Sequence, residues 1–508
     1  MNVSIQREKY VGFFLGIVVF TGMLLMGTPE GMRPEAWSVA CVTALMACWW
    51  MTDAIPIPAT SLLPICLYPL LGVMSSKEAA APYADDILFL FMGGFFLAVT
   101  MERWNLHRRV ALHTIRIVGS SPSRMVLGFM VATGFLSMWV SNTACAMMMV
   151  PIGLAVVSEV TGLSPTDIKA GKANSKSDLN FGRALMLGIA FAASVGGLGT
   201  PIGTPPNAIL IGIIKQMYGY EITFAQWMMI GVPLAVITMA LSWVILCHFL
   251  FKTQEFSRGG AAAVIEEDIK NLGPMSKEEK HVLCIGATMA LLWILSGFVF
   301  KYIPLLANVK DATIAIIGAI CLFMIPVNFK RHEFLLDWDT AVKIPWDVIL
   351  LLGGGLAIAK GFQSSGLTLY LAEQFKLLQG LPNYLFITAI VIAVIALTEV
   401  TSNTATASLL VPVMGTVAIA IGVNPLGPMA AAGIAASYAF MLPVATPPNA
   451  VAYGSGCFTI IDMARAGMWI NVFCFVLVPC AIYILIPLFW GENLNAIPEW
   501  ALTAIAPK

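Results

Sequence analysis

The chain has 508 residues, 59% of them hydrophobic and 11% charged, against about a quarter charged in an ordinary soluble protein. Its 28 Lys and Arg balance 28 Asp and Glu, so the formal net charge is zero, and mean hydropathy is +0.85. So few charges cannot solvate a soluble surface, zero net charge argues against a nucleic-acid partner, and so apolar a chain is not disordered. A polytopic membrane protein remains, and its 29 prolines and 43 glycines fit membrane helices.

The first apolar run, Tyr10 to Met26, follows Arg7 and Lys9. It is longer than a signal-peptide core and no A-x-A site follows, so it reads as the first span. Each span needs about 20 apolar residues to cross ~30 Å of hydrocarbon. The expected crossings are 10–27, 36–53, 56–74, 84–101, 183–216, 226–251, 281–300, 311–328, 347–363, 427–457 and 466–489. The basic, amphipathic segment 105–118 is expected to lie in the interface.

Two further apolar stretches, 124–158 and 383–421, carry Ser-Asn-Thr at their middles. Each is either one long helix or a re-entrant hairpin with the polar triplet at its tip. Charge bias favours the hairpins. With eleven crossings and two hairpins the N-terminus is cytoplasmic, the C-terminus is extracytoplasmic, and 20 of the 28 basic residues fall inside. The outer eight are Arg33, Lys77, Lys215, Lys301, Lys310, Lys360, Lys376 and Lys508. If 124–158 crossed, the five basic residues of 252–280 would move outside.

The two halves repeat each other. Gly93-Gly94 and Gly354-Gly355, Ser141-Asn142-Thr143 and Ser402-Asn403-Thr404, and Pro151 and Pro412 are all 261 residues apart. The T-P-P-N motifs, Thr204–Asn207 and Thr446–Asn449, are 242 apart, the difference being a polar insertion around 163–181. Both T-P-P-N segments interrupt a span, since paired prolines remove donors and clash. An odd number of crossings per unit inverts one repeat against the other, the pattern of secondary transporters. The predicted fold is thus an all-α polytopic membrane protein in two inverted-topology repeats. Its segments are scaffold helices at 1–123, a hairpin and broken helix at 124–252, and a cytoplasmic linker at 253–280. The second repeat follows with scaffold at 281–382 and transport elements at 383–490, then a tail at 491–508.

Polar backbone inside a membrane is tolerated only where it lines a cavity or binds something. Hydroxyls, amides and helix N-termini suit a small carboxylate, and freed carbonyls suit Na⁺. No Lys or Arg falls at the predicted site, so the positive charge opposite a dianion must come from bound cations.

Together the two Ser-Asn-Thr triplets, G-T-P-P-N and A-T-P-P-N resemble the divalent anion:sodium symporter family, the INDY-type Na⁺/dicarboxylate and citrate carriers. The resemblance covers nearly the whole chain. It implies an elevator mechanism, a homodimer and two Na⁺ ions. It assigns the first Na⁺ to Ser137, Ser141, Asn142 and Gly203, and the second to Thr398, Thr401, Asn403 and Ala445. It assigns substrate to Ser141, Asn142, Thr143, Thr204, Ser402, Asn403, Thr404, Thr446 and Pro447. Some relatives have serine at the position of Thr204 and alanine at that of Thr401. The expected function is Na⁺-coupled uptake of C4-dicarboxylates such as succinate, malate or fumarate across a bacterial inner membrane. A di- or tricarboxylate (citrate) exchanger and a sulfate transporter of the same fold are the alternatives. A channel fits less well, because no ring of charges accompanies the hairpins. An enzyme is not expected: no nucleophile–base set, C-x-x-C or H-E-x-x-H occurs. Glu399, an intramembrane carboxylate whose first-half equivalent is Met138, is open to a structural or a coupling role. Trp49-Trp50, Trp104 and Trp469 are expected in interfacial belts, and Met147–Met149 in packing.

Overall fold

A computed structural model describes residues 2–119, 121–169, 176–252, 261–304, 306–375, 380 and 382–505. The insertion 163–181, the linker 253–280 and the tail 491–508 fall partly outside them, as do Lys172, Arg258, Lys376 and Lys508 of the charge count.

Helices α1 (Asn2–Met26) and α2 (Pro34–Thr52) pack antiparallel. Trp49 Nε1 donates to the Phe13 carbonyl (3.2 Å), Trp37 Nε1 to that of Met23 (3.0 Å), and Lys9 pairs with Asp53. This overturns the interfacial expectation for Trp49-Trp50. Trp49 stacks on Phe13, and Trp50 is 1% exposed. Trp104 instead donates to the Leu335 carbonyl (2.8 Å), and Trp469 is exposed on its helix. The stretch expected as one span at 56–74 is two short helices, Ile57–Thr60 and Leu63–Leu70. Pro58, Pro64 and Pro69 remove the donors one continuous helix would need.

Next come α3 (Asp86–Arg103) and the amphipathic α4 (Leu106–Val118). Thirteen residues rise only about 20 Å, too short to cross. Asn105 (φ 56°) and Gly119 (φ 118°) turn the chain sharply at its two ends. One face buries Leu106, Ala111, Leu112 and Ile115. Two arginines of the same helix reach the segment joining the halves: Arg108 to Asp268 (3.1 Å), and Arg109 to Glu279 through Nε (2.8 Å) and Nη2 (3.1 Å).

The first triplet separates α5 (Pro122–Ser137) from α6 (Asn142–Thr161). The first T-P-P-N loop separates α7 (Lys176–Gly196) and a 3-10 turn at Gly197–Gly199 from α8 (Pro205–Tyr218). Then follow α9 (Phe224–Val244), α10 (Ala261–Leu272), α11 (Lys277–Phe298) and α12 (Asp311–Met324). The span expected to reach 328 stops at Met324, since Pro326 forces Ile325 into an extended conformation (ψ 113°). A small antiparallel ribbon, β1 (Pro326–Asn328) with β2 (Glu333–Phe334), departs from the all-α expectation. The second half continues with α13 (Trp346–Ser365), α14 (Leu367–Gln374), α15 (Asn383–Thr398), α16 (Asn403–Ile421), α17 (Leu426–Ala435), α18 (Pro447–Tyr453) and α19 (Ile460–Trp490). Among the described residues nine helices have the length and composition to cross a membrane. Four shorter apolar ones, Ile57–Leu70, Asp311–Met324, Asn383–Thr398 and Leu426–Ala435, accompany them.

The repeat is visible in the helix boundaries. Both ends of α15 lie 261 residues after those of α5, and α16 begins 261 after α6. The capping boxes Thr223/Gln226 and Thr459/Asp462 open α9 and α19 at an offset of 236, so the second broken helix is six residues shorter between cap and loop. Equivalent glycines let helix backbones meet. A Cβ on Gly93 would stand 2.6 Å from the Ala315 carbonyl group, and one on Gly354 2.7 Å from Ser61. Close small-residue contacts of this kind replace the hydrophobic drive that lipid removes. Gly93→Val and Gly354→Val are each expected to destabilise by about 1–3 kcal/mol through overpacking, seen as a lower melting temperature in detergent.

Candidate functional site

Both triplets and both T-P-P-N loops line one cavity of about 650 Å³. All nine residues expected to meet substrate are on its wall: Ser141, Asn142, Thr143, Thr204, Ser402, Asn403, Thr404, Thr446 and Pro447. Of the residues expected to hold cations, Ser141, Asn142, Gly203, Thr401, Asn403 and Ala445 line it too. Ser137 and Thr398 lie behind the wall, fully buried.

Four helices begin at this cavity. The α6, α8, α16 and α18 N-caps are Ser141, Thr204, Ser402 and Thr446. Ser141 Oγ accepts from the Ala144 amide (3.2 Å) and Thr446 Oγ1 from that of Asn449 (3.4 Å). The Thr204 and Ser402 side chains do not cap their own helices, which leaves their hydroxyls for a ligand. The positive ends of these helices attract an anion. The charged residues on the wall are Asp53, paired with Lys9, and Asp347; among the described lining residues there is no Lys or Arg.

The loops hold their unwound shape through two equivalent asparagines. Asn207 Nδ2 donates to the carbonyls of Gly197 (3.0 Å) and Thr200 (2.8 Å). Asn449 Nδ2 does the same for Ala439 and Leu442 (3.0 Å each). Each pair of acceptors is 242 residues from its counterpart. A second pair of equivalent contacts ties each tip to its loop. Ser137 Oγ contacts Asn142 Oδ1 (2.5 Å) and the Ala193 carbonyl (2.6 Å). Thr398 Oγ1 contacts Asn403 Oδ1 (2.7 Å) and the Ala436 carbonyl (2.8 Å).

The first of these clusters gathers uncharged oxygens. The Asn142 amide group stands 3.1 Å from the Ala193 carbonyl, 3.2 Å from the Gly203 carbonyl and 2.5 Å from Ser137 Oγ, and its hydrogen bonding is satisfied with the NH₂ turned toward these oxygens. Hydroxyl, amide and carbonyl oxygens are the ligands a hard cation takes, so the residues present are of a kind that fits Na⁺. Gly197 keeps the space open: its Cβ would stand 2.7 Å from Asn142 Oδ1 and 2.9 Å from the Gly203 carbonyl.

The sequence reading missed the apolar part of the wall, which includes Trp50, Phe95, Ile202, Val400 and Val444, and the carboxylate of Asp347. No local motif marks these residues, because they come from separate segments of the chain. Asp347 lies 261 residues after Asp86, but Asp86 sits elsewhere, paired with Lys215. Met149 is buried and Met147 exposed. Gly197→Ala is expected to lower the melting temperature, since the added Cβ must displace the Gly203 backbone or the Asn142 amide; thermal unfolding in detergent checks it.

Residues 7–497 match the family model described as the sodium:sulfate symporter transmembrane region. The chain is 44% identical over 495 residues to the sodium-dependent dicarboxylate transporter SdcS of Staphylococcus saprophyticus, covering 97% of this chain and 94% of that one. It is 44% identical over 488 residues to SdcS of Staphylococcus aureus strain USA300, covering 96% and 93%. Among solved structures it is similar to the Alcanivorax borkumensis YdaH transporter, with a TM-score of 0.57 and 14% identity over 89% of this chain and 99% of that one. It is also similar to Neisseria gonorrhoeae MtrF, with a TM-score of 0.53 and 11% identity over 92% and 97%. At those identities the likeness is one of fold alone. The resemblance carried by the doubled triplets and loops therefore holds, and this chain belongs to the sodium:sulfate symporter family, the divalent anion:sodium symporters.

Proposed function

We propose that this membrane protein carries C4-dicarboxylates such as succinate, malate or fumarate into the cytoplasm by symport with Na⁺. The observation that carries this reading is that both triplets and both T-P-P-N loops meet at one cavity, with four helix N-termini at it and no Lys or Arg among its described lining residues. A dianion there takes its positive counter-charge from bound cations and helix ends. The names of the SdcS relatives, sodium-dependent dicarboxylate transporters, support the same substrate and ion.

Coupling follows from shared residues. Na⁺ held by Ser137, Ser141, Asn142 and Gly203 places a positive charge beside Ser141 and Asn142, the same residues that meet the substrate carboxylate. Ion binding thus raises substrate affinity, and linkage requires the reverse as well. The family resemblance assigns Thr398, Thr401, Asn403 and Ala445 to a second site, making two Na⁺ sites in all. The substrate meets Ser141, Asn142, Thr143 and Thr204 on one side, and Ser402, Asn403, Thr404, Thr446 and Pro447 on the other.

The proposed arrangement has eleven crossings and two re-entrant hairpins, α5–α6 and α15–α16. The transport elements 124–252 and 383–490 move as an elevator against the scaffold 1–123 and 281–382 of a homodimer in the inner membrane. Ion pairs support the assignment of residues to two faces. Among the described residues every pair joins residues assigned to the same face. Arg103–Asp337, Arg108–Asp268, Arg109–Glu279 and Arg183–Asp462 lie on one, and Lys215–Asp86 and Lys310–Glu221 on the other. The cavity wall includes Met51, Asp53, Pro345 and Asp347, all at helix ends assigned to the cytoplasm, so this conformation is read as inward-facing.

Succinate uptake into proteoliposomes is expected to require a Na⁺ gradient and to be competed by malate and fumarate more than by citrate or sulfate. Equal uptake with choline replacing Na⁺ contradicts the symport reading. Asn142→Ala and Asn403→Ala are each expected to cut uptake at least about a hundredfold, the upper range of a single coupling, with membrane expression unchanged. Near-normal uptake by either variant would show that the site is misplaced.

A further inference from the structure

The two repeats match closely at the cavity, but one difference stands directly behind it. Glu399 caps α15 between Thr398 and the second triplet and is only 5% exposed. Its Oε1 accepts from the Phe440 amide (2.9 Å), the Met441 amide (3.1 Å) and Asn471 Nδ2 (2.7 Å), and its Oε2 from the Met441 amide (2.9 Å). A buried carboxylate is thus held by two backbone amides of the unwound stretch and one side chain of α19.

The first repeat builds the same place without a carboxylate: Thr200 Oγ1 donates to the Met138 carbonyl (2.5 Å) and Trp227 Nε1 to that of Leu198 (2.9 Å). Glu399 corresponds to Met138 at the offset of 261. Met441 corresponds to Gly199 at 242. Asn471 corresponds to Ala235 at the α9–α19 offset of 236, which also relates Gly231 to Gly467. Met138 packs on Gly199, whose added Cβ would lie 2.9 Å from the methionine side chain. Gly231 and Gly467 bring their helices against the backbone of each unwound stretch, at Leu198 and at Phe440. In the second repeat the side chains therefore change from apolar to polar at two positions at once, Met138 to the carboxylate Glu399 and Ala235 to the amide Asn471.

The unwound stretches give the reason for the exchange. In the first repeat a 3-10 turn at Gly197–Gly199 continues α7 and bonds much of the loop to itself. In the second, no helix covers the residues from Ala436 to Thr446, and the Phe440 and Met441 amides go to Glu399. The same stretch carries the Ala436 carbonyl that receives Thr398, the Ala439 and Leu442 carbonyls that receive Asn449, and Ala445. A charge-assisted hydrogen bond is about twice as strong as a neutral one, so the carboxylate fixes this stretch where the first repeat uses neutral hydrogen bonds from Thr200 and Trp227 and close packing.

We propose that Glu399 is a positioning residue for the second Na⁺ site, acting through the Phe440–Met441 backbone, and that its charge makes this the tighter of the two sites. The inference rests on the symport reading. It makes the two cation sites unequal, with the second filling first, although their side-chain contacts match. Asn471 assists by holding the carboxylate from α19.

The test is a Na⁺ series on the full-length wild type, Glu399→Gln, Glu399→Asp and Asn471→Ala. It reads both Na⁺-dependent melting in detergent and succinate uptake in proteoliposomes. Gln keeps the shape but turns an NH₂ toward backbone donors and removes the charge. Glu399→Gln is expected to raise the half-saturating Na⁺ concentration at least about fivefold, with succinate KM at saturating Na⁺ little changed. Asn471→Ala is expected to shift it in the same direction by less, and Glu399→Asp to recover part of the wild-type value. A Na⁺ dependence of Glu399→Gln that overlays the wild type overturns the proposal, as does a change confined to succinate KM. If Glu399→Gln does not fold, Asn471→Ala decides by the same criterion. Wild-type uptake that is equal in choline would instead remove the symport reading on which the inference rests.

Discussion

Hydrocarbon offers no hydrogen bonds, and the rest of this structure follows from that constraint. Every interruption of a membrane helix must satisfy its own backbone groups or give them to a ligand. Here Asn207 and Asn449 each close a broken helix by donating to two carbonyls of their own loop. Ser137 and Thr398 tie each triplet tip to the facing helix. What these contacts leave unsatisfied faces the cavity: N-terminal amides, free hydroxyls and inward carbonyls. The binding surface is made of the backbone and hydroxyl groups that the protein satisfies internally everywhere else.

The charge pattern follows from the same constraint. A fixed Lys or Arg at the cavity would hold a dianion too well to release it and would itself be costly to carry through hydrocarbon. Borrowed cations avoid both problems, because they leave with the substrate. The proposed mechanism places ion and anion on the same triplet residues, Asn142 and Asn403, so that binding of one favours the other. The second repeat reproduces these contacts but adds Glu399 and Asn471, so the pseudo-symmetry holds for the wall of the cavity and fails one layer behind it.

Much of this was legible in the sequence, for identifiable reasons. The triplets and T-P-P-N loops were readable because breakers and polar residues inside an apolar run are costly unless they line a cavity or bind something. Their constant spacing announced the repeat, and the helix ends of α5 and α15 carry the same offset. The split at 56–74 was harder to read, since prolines are common in membrane helices and only three close together end one. The placement of Trp50 was illegible because a tryptophan near a span end reads equally as interface or interior. The apolar wall of the cavity was hidden because Phe95, Ile202 and Val400 look like any lipid-facing residue until packing turns them inward. The role of Asn471 needed the third dimension, since nothing near it in sequence is unusual.

The central claim is that cation and dicarboxylate share one site and stabilise each other there. Succinate titrated calorimetrically into the purified protein, in sodium chloride and in choline chloride of equal ionic strength, tests it without requiring transport. Mutual stabilisation predicts that Na⁺ tightens succinate binding at least about tenfold, a coupling of about 1.4 kcal/mol. The same affinity in both salts would contradict it.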